Sequence, residues 1–235
     1  MDCQLAELSR GIQLNCNTDG AAHIALAETA ASAQLLWLNY ICTSQLTGTA
    51  DCLVKGAYSS IRESAICIAL GLVRPSVAAM RLQIDLALGW LYFRHHPVEW
   101  DRVQRSGDGF KLKSEILVYL KDNFPCFKHR LSLLEERKTR TLDDPYRLLS
   151  AHMHAQSEST VPQIDAPSSM LANAQQRTEA VALLRECSEY ISDVYWSIFA
   201  ANRHALPSSL EEELNQRFVS LAERSSFYEG PPPKD

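Results

Sequence analysis

Apolar residues recur at three- and four-residue intervals through most of this 235-residue chain, and no stretch shows the strict alternation of a half-buried strand. The first 20 residues, with Asn15, Asn17, Asp19 and Gly20, predict a short helix and a turn. Ala21 to about Leu46 reads as one Ala- and Leu-rich helix, with Leu35, Leu36, Leu38, Tyr40 and Ile41 on its apolar stripe and Trp37 adjoining. A helix from about Ala50 to Val73 is expected to end at Arg74-Pro75-Ser76, because proline cannot continue helical hydrogen bonding and disfavours a helical residue before it. The next helix, about Ser76 to Arg94, is apolar nearly all round, which marks the centre of a bundle.

Beyond it, His96-Pro97 opens a short amphipathic piece to about Gln104, and Ser106-Gly107-Asp108-Gly109 is a turn. Lys113–Asn123 and Pro125–Lys138 read as helices. Asp144-Pro145 starts another, through about His154: the carboxylate suits an N-cap and proline the first helical position. Gln156–Ser169 is aperiodic and loop-like, and Ala172 to about Asn202 is a long helix. Pro207-Ser208-Ser209 with Glu211 and Glu212 resembles a capping box opening a final helix. The expected fold is all-α: a short helix and turn over 1–20, an antiparallel helical bundle over 21–155, a loop over 156–171, a C-terminal helical extension packed on the bundle over 172–229, and a disordered tail over 230–235.

Composition narrows this picture. A hydrophobic fraction of 46% is enough for a real core, and a net charge of -5 argues against a protein that coats nucleic acid electrostatically. The seven cysteines are odd in number, scattered and never C-x-x-C; several lie in apolar runs where a thiol acts as a small hydrophobe, so a reducing cytoplasm is the expected location. The N-terminus lacks the features of a signal peptide. Ala65–Val73 is too short to cross a bilayer and Val77–Phe93 carries Arg81, Gln83 and Asp85, so no membrane span is expected. No glycine-rich phosphate loop, G-x-S-x-G or dinucleotide fingerprint occurs, and no cofactor is expected.

Candidate chemistry concentrates in Asp144–His154. At about 100° per residue, Arg147, Ser150 and His154 share a helical face, whereas His152 points elsewhere, beside Leu148 and Leu149. A packed histidine and a surface arginine are the plainer account of the same spacing. Arg81 and Asp85, four apart on the apolar helix, fit either a register-fixing buried pair or the edge of a polar cleft. His95-His96-Pro97 and His152-x-His154 lack the further ligands of a metal site, and none is expected. Lys121, Lys128, Arg130, Arg137, Lys138 and Arg140 form a basic run, fitting a solvated face or a phosphate-facing surface.

An Arg followed after four to six residues by His resembles the signature of the HEPN superfamily, and both His152 and His154 satisfy the spacing from Arg147. Tyr146-Arg147-Leu148-Leu149-Ser150 with His154 looks like the closing helix of HEPN-like bacterial proteins, and Arg81-x-x-x-Asp85 followed by Tyr92 to Glu99 resembles their core helix and corner. The likeness covers roughly residues 50–155. It implies a homodimer and metal-independent endoribonuclease activity of the kind found in toxin–antitoxin and phage-defence systems, with RNA as substrate and an antitoxin or other protein as partner. Arg147 would hold phosphate, His154 or His152 would be the acid/base, and Ser150 and Tyr146 would position substrate. Leu148 departs from the pattern, since catalytic members commonly carry a polar residue there; a non-catalytic interaction module is the alternative.

Overall fold

The computed structural model describes residues 2–231; Met1 and residues 232–235, most of the expected tail, lie outside the described residues. All regular structure among the described residues is helical. The α-helices, in chain order, are α1 (Asp2–Asn15), α2 (Ala21–Ala30), α3 (Ser32–Ser44), α4 (Cys52–Leu70), α5 (Val73–Phe93), α6 (Pro97–Ser106), α7 (Lys113–Asn123), α8 (Phe127–Glu136), α9 (Pro145–Met153), α10 (Ala174–Phe199), α11 (Ser208–Arg217) and α12 (Leu221–Glu229). No helix among the described residues is long and apolar enough to cross a membrane.

Several boundaries differ from the expectations, each for a local reason. Cys16–Gly20 forms a π-helical segment where a turn was expected, with Asn15 and Gly20 both in helical conformation. Tertiary contacts hold it: Asn15 Nδ2 donates to the Leu70 carbonyl, and Asp19 accepts both Arg177 terminal nitrogens. The expected helix over Ala21–Leu46 breaks at Ala31 into α2 and α3. Arg74 and Pro75 lie in the first turn of α5, not between helices; proline fits there because first-turn N–H groups have no intrahelical acceptor. The corner falls at Gly71 instead, whose φ of 85° is left-handed. The C-terminal helical stretch is two helices. Ser220, not Ser208 or Ser209, supplies a capping side chain, accepting the Glu223 amide at 3.2 Å.

The chain divides into two compact units that interleave in sequence. Met1–Ser32, Gly56–Ile84 and Asp144–Ser188 make the first, whose interior holds Ala27, Ile61, Ile68, Met80, Leu149 and Leu184. Ala33–Lys55, Asp85–Asp143 and Glu189–Asp235 make the second. Its interior is aromatic: Trp37 is fully buried, edge-on to Trp196 at 5.0 Å and 5.7 Å from Tyr195. Beside these rings lies a buried ionic clasp. Asp193 of α10 takes Arg140 and Arg217, the latter at 2.6 Å, and Arg217 also donates to the carbonyls of Leu134 and Arg137.

The left-handed corner gives a direct test. A Cβ at Gly71 would meet Asn15 Nδ2 at 2.5 Å, and that amide is held by Leu70. Gly71→Ala is therefore expected to cost about 1–2 kcal/mol from backbone conformation alone. An unchanged urea midpoint would contradict that corner.

Candidate functional site

Helix α9 carries the residues that the sequence singles out. Asp144 stands at its N-cap and Pro145 at its first position, although the Asp144 side chain makes no capping hydrogen bond. Pro145 and Leu149 are buried and fix which side of α9 faces the interior. Within the first unit, α9 runs antiparallel to the beginning of α5. Arg81 lies over the Tyr146 ring, 4.2 Å from its centroid, and donates to its hydroxyl, while Arg74 reaches the far end of α9 and donates to the His152 carbonyl at 3.2 Å.

This seating separates the candidate residues. Arg147 and His154 are exposed, and neither side chain hydrogen-bonds or ion-pairs with another described residue. His154 closes α9, its amide donating to the Ser150 carbonyl at 3.0 Å, so these two are one turn apart. Tyr146 is half-buried beneath Arg81, and the Ser150 hydroxyl oxygen is buried with no hydrogen-bond partner among the described residues. Asp85 is half-buried one turn beyond Arg81 on α5.

His152 faces a different environment, lining an open cavity of about 510 Å³ together with Arg74 and Leu148. Burial, and then the positive charge of Arg74, hold the His152 imidazole below its ordinary pKa. Because the folded value is depressed, its contribution to stability is complete above about pH 6.5 and is lost as pH falls toward the folded pKa. The unfolding midpoint of wild type should fall more steeply than that of His152→Gln as pH drops from about 6.5 to 5. Parallel profiles would show that this imidazole is not destabilised as a cation.

The remaining candidates resolve into structure. His96 stacks on Tyr92 with ring centroids 4.1 Å apart, and its Nδ1 lies 2.7 Å from the Tyr92 carbonyl oxygen. Tyr92 donates to Glu99, which Lys111 also holds at 3.2 Å. No cluster of three or more His, Cys, Asp or Glu that could hold a metal ion occurs among the described residues. The basic run is largely spent on internal contacts. Arg130 is buried and donates to the carbonyls of Phe227, Ser197 and Tyr228; Arg137 pairs with Glu223, Lys138 with Asp143 and Arg140 with Asp193. A phosphate-facing surface built from all six cations does not form. The seven cysteines are free, and only Cys187 is fully buried, its thiol pushed far above its ordinary pKa by burial.

Two residues escape sequence reading. Arg74 looked like part of a corner, yet it ties two chain segments together. Its place in the first turn of α5 is a signal, because the helix dipole disfavours a cation there. Asp193 sits among Ile191, Val194, Tyr195 and Trp196, and a carboxylate in so apolar a run must be paired to be buried. The chain matches no protein-family model, and comparison with curated proteins and with solved structures finds no significant match.

Proposed function

We propose that this chain is an HEPN-like helical domain that cleaves RNA without a metal, using Arg147 to grip the scissile phosphate and His154 as acid/base. The observation that carries this reading is the joint exposure of Arg147 and His154 on α9, both unoccupied by other described side chains. A group already pinned by an internal partner would have to break that contact before meeting substrate. The histidine of one copy takes the proton of the ribose 2′-hydroxyl, the 2′-oxygen bonds to phosphorus as the P–O5′ bond breaks, and the leaving 5′-oxygen takes a proton from the protonated histidine of the second copy. A bidentate arginine offsets the charge that develops on the phosphoryl oxygens. By the same resemblance, a second copy of α9 across a homodimer completes the site.

Exposed Leu148 and Met153 on the same helix favour a second reading, an interaction module that dimerises or holds a protein partner without catalysis. The test is incubation of purified, partner-free protein with mixed single-stranded RNA in EDTA, together with light scattering. The ribonuclease reading expects a dimer and fragments ending in 2′,3′-cyclic phosphate. Intact RNA would turn the assignment to the interaction module, and a monomer at micromolar concentration would remove the composite site.

A further inference from the structure

The cavity beside His152 lies entirely in the first unit, between the start of α5, the end of α9 and the start of α10. Its volume of about 510 Å³ is that of a small-molecule site. Val73, Val77, Leu148, Leu171, Ala180 and Leu183 give it an aliphatic side, the rest of its lining is largely polar, and among the described residues no Phe, Tyr or Trp ring lines it. Such walls suit a hydrocarbon body and offer nothing for a nucleobase to stack on.

The charged groups on the walls are not equivalent. Glu179 already accepts a hydrogen bond from Gln175 at 2.9 Å. Arg74 is anchored by donating through one terminal nitrogen to the Thr160 carbonyl at 3.1 Å and through the other to the His152 carbonyl at 3.2 Å. A guanidinium has five N–H groups in a planar fork, so this anchoring leaves donors for a planar anion while fixing the side chain in place.

We propose that this cavity binds a small aliphatic carboxylate, its hydrocarbon chain on the Val77–Leu148–Leu183 walls and its carboxylate on Arg74. The site is separate from the exposed Arg147–His154 face and does not depend on RNA cleavage. A carboxylate here would also restore charge balance around His152, so binding should raise that imidazole's pKa.

Isothermal titration of the full chain with octanoate, below its micelle concentration, tests the assignment against octanol and inorganic phosphate. Octanoate is expected to bind saturably, and octanol and phosphate about tenfold or more weaker, since each lacks one half of the recognition. Arg74→Gln should weaken octanoate about tenfold and bring it level with octanol. That variant also loses two contacts to the chain around residues 152–160, so Leu148→Trp supplies a second handle. It narrows the cavity from an exposed edge and should abolish binding while leaving the helical circular dichroism intact. Absence of saturable octanoate binding, equal affinity for octanol in wild type, or unimpaired binding by folded Leu148→Trp would each overturn the proposal.

Discussion

Under the proposed ribonuclease reading, His154→Ala should slow RNA cleavage by about 10²–10⁴-fold, the usual contribution of a general acid or base, without moving the unfolding midpoint. Both halves of this expectation come from the position of the side chain. His154 is exposed at the end of α9 and hydrogen-bonds to no other described side chain, so truncation removes chemistry without opening a cavity. Arg147→Lys should also impair cleavage, because lysine keeps the charge and loses the planar two-point grip on phosphate. His152→Ala is the informative control. Its imidazole lines the cavity beside Arg74 and Leu148, so it should alter stability more than cleavage. Full cleavage by His154→Ala with loss in His152→Ala would move the acid/base to the cavity side of α9.

Asp193→Ala should destabilise the chain by about 3–5 kcal/mol, as breaking one side of a buried ion pair typically does. Asp193 has no solvent exposure, and its carboxylate faces Arg140, also fully buried, and Arg217, which is nearly so. Removing it leaves the two desolvated guanidinium groups with only longer ionic contacts to Glu189, at 3.6 Å from Arg140 and 3.7 Å from Arg217, although Arg217 keeps its carbonyl acceptors at Leu134 and Arg137. Burial raises the Glu189 carboxyl, but hydrogen bonds from the Thr139 hydroxyl and amide, and the charge of Arg217, outweigh that and hold it below its ordinary pKa. The clasp therefore connects Thr139 and Arg140, α10 and α11 through charge and directed hydrogen bonds. Urea unfolding measures the loss directly. A change below about 1 kcal/mol would mean that water enters on truncation and solvates the arginines, and the clasp would then add little to the fold.

The helical class was legible from the chain alone, because helix periodicity is a local property and helical hydrogen bonds close within a few residues. Lys113–Asn123 appears as expected, and a helix begins at Pro145 because proline suits the first position, though without the capping hydrogen bond expected of Asp144; Gly107 takes the left-handed conformation expected of a turn glycine. The expectation of a face shared by Arg147, Ser150 and His154 was likewise a matter of helical angle. Whether each of those side chains meets water was not: the Ser150 hydroxyl oxygen is buried while Arg147 and His154 remain exposed. The tertiary structure also decided the fate of the basic run, since Arg130, Arg137 and Arg140 find acceptors 53 to 98 residues away and sequence spacing carries no information about such partners. The same reason hid the Arg74–His152 cavity. Its walls come from three helices and an irregular loop, and only packing brings an arginine from the start of α5 to the end of α9.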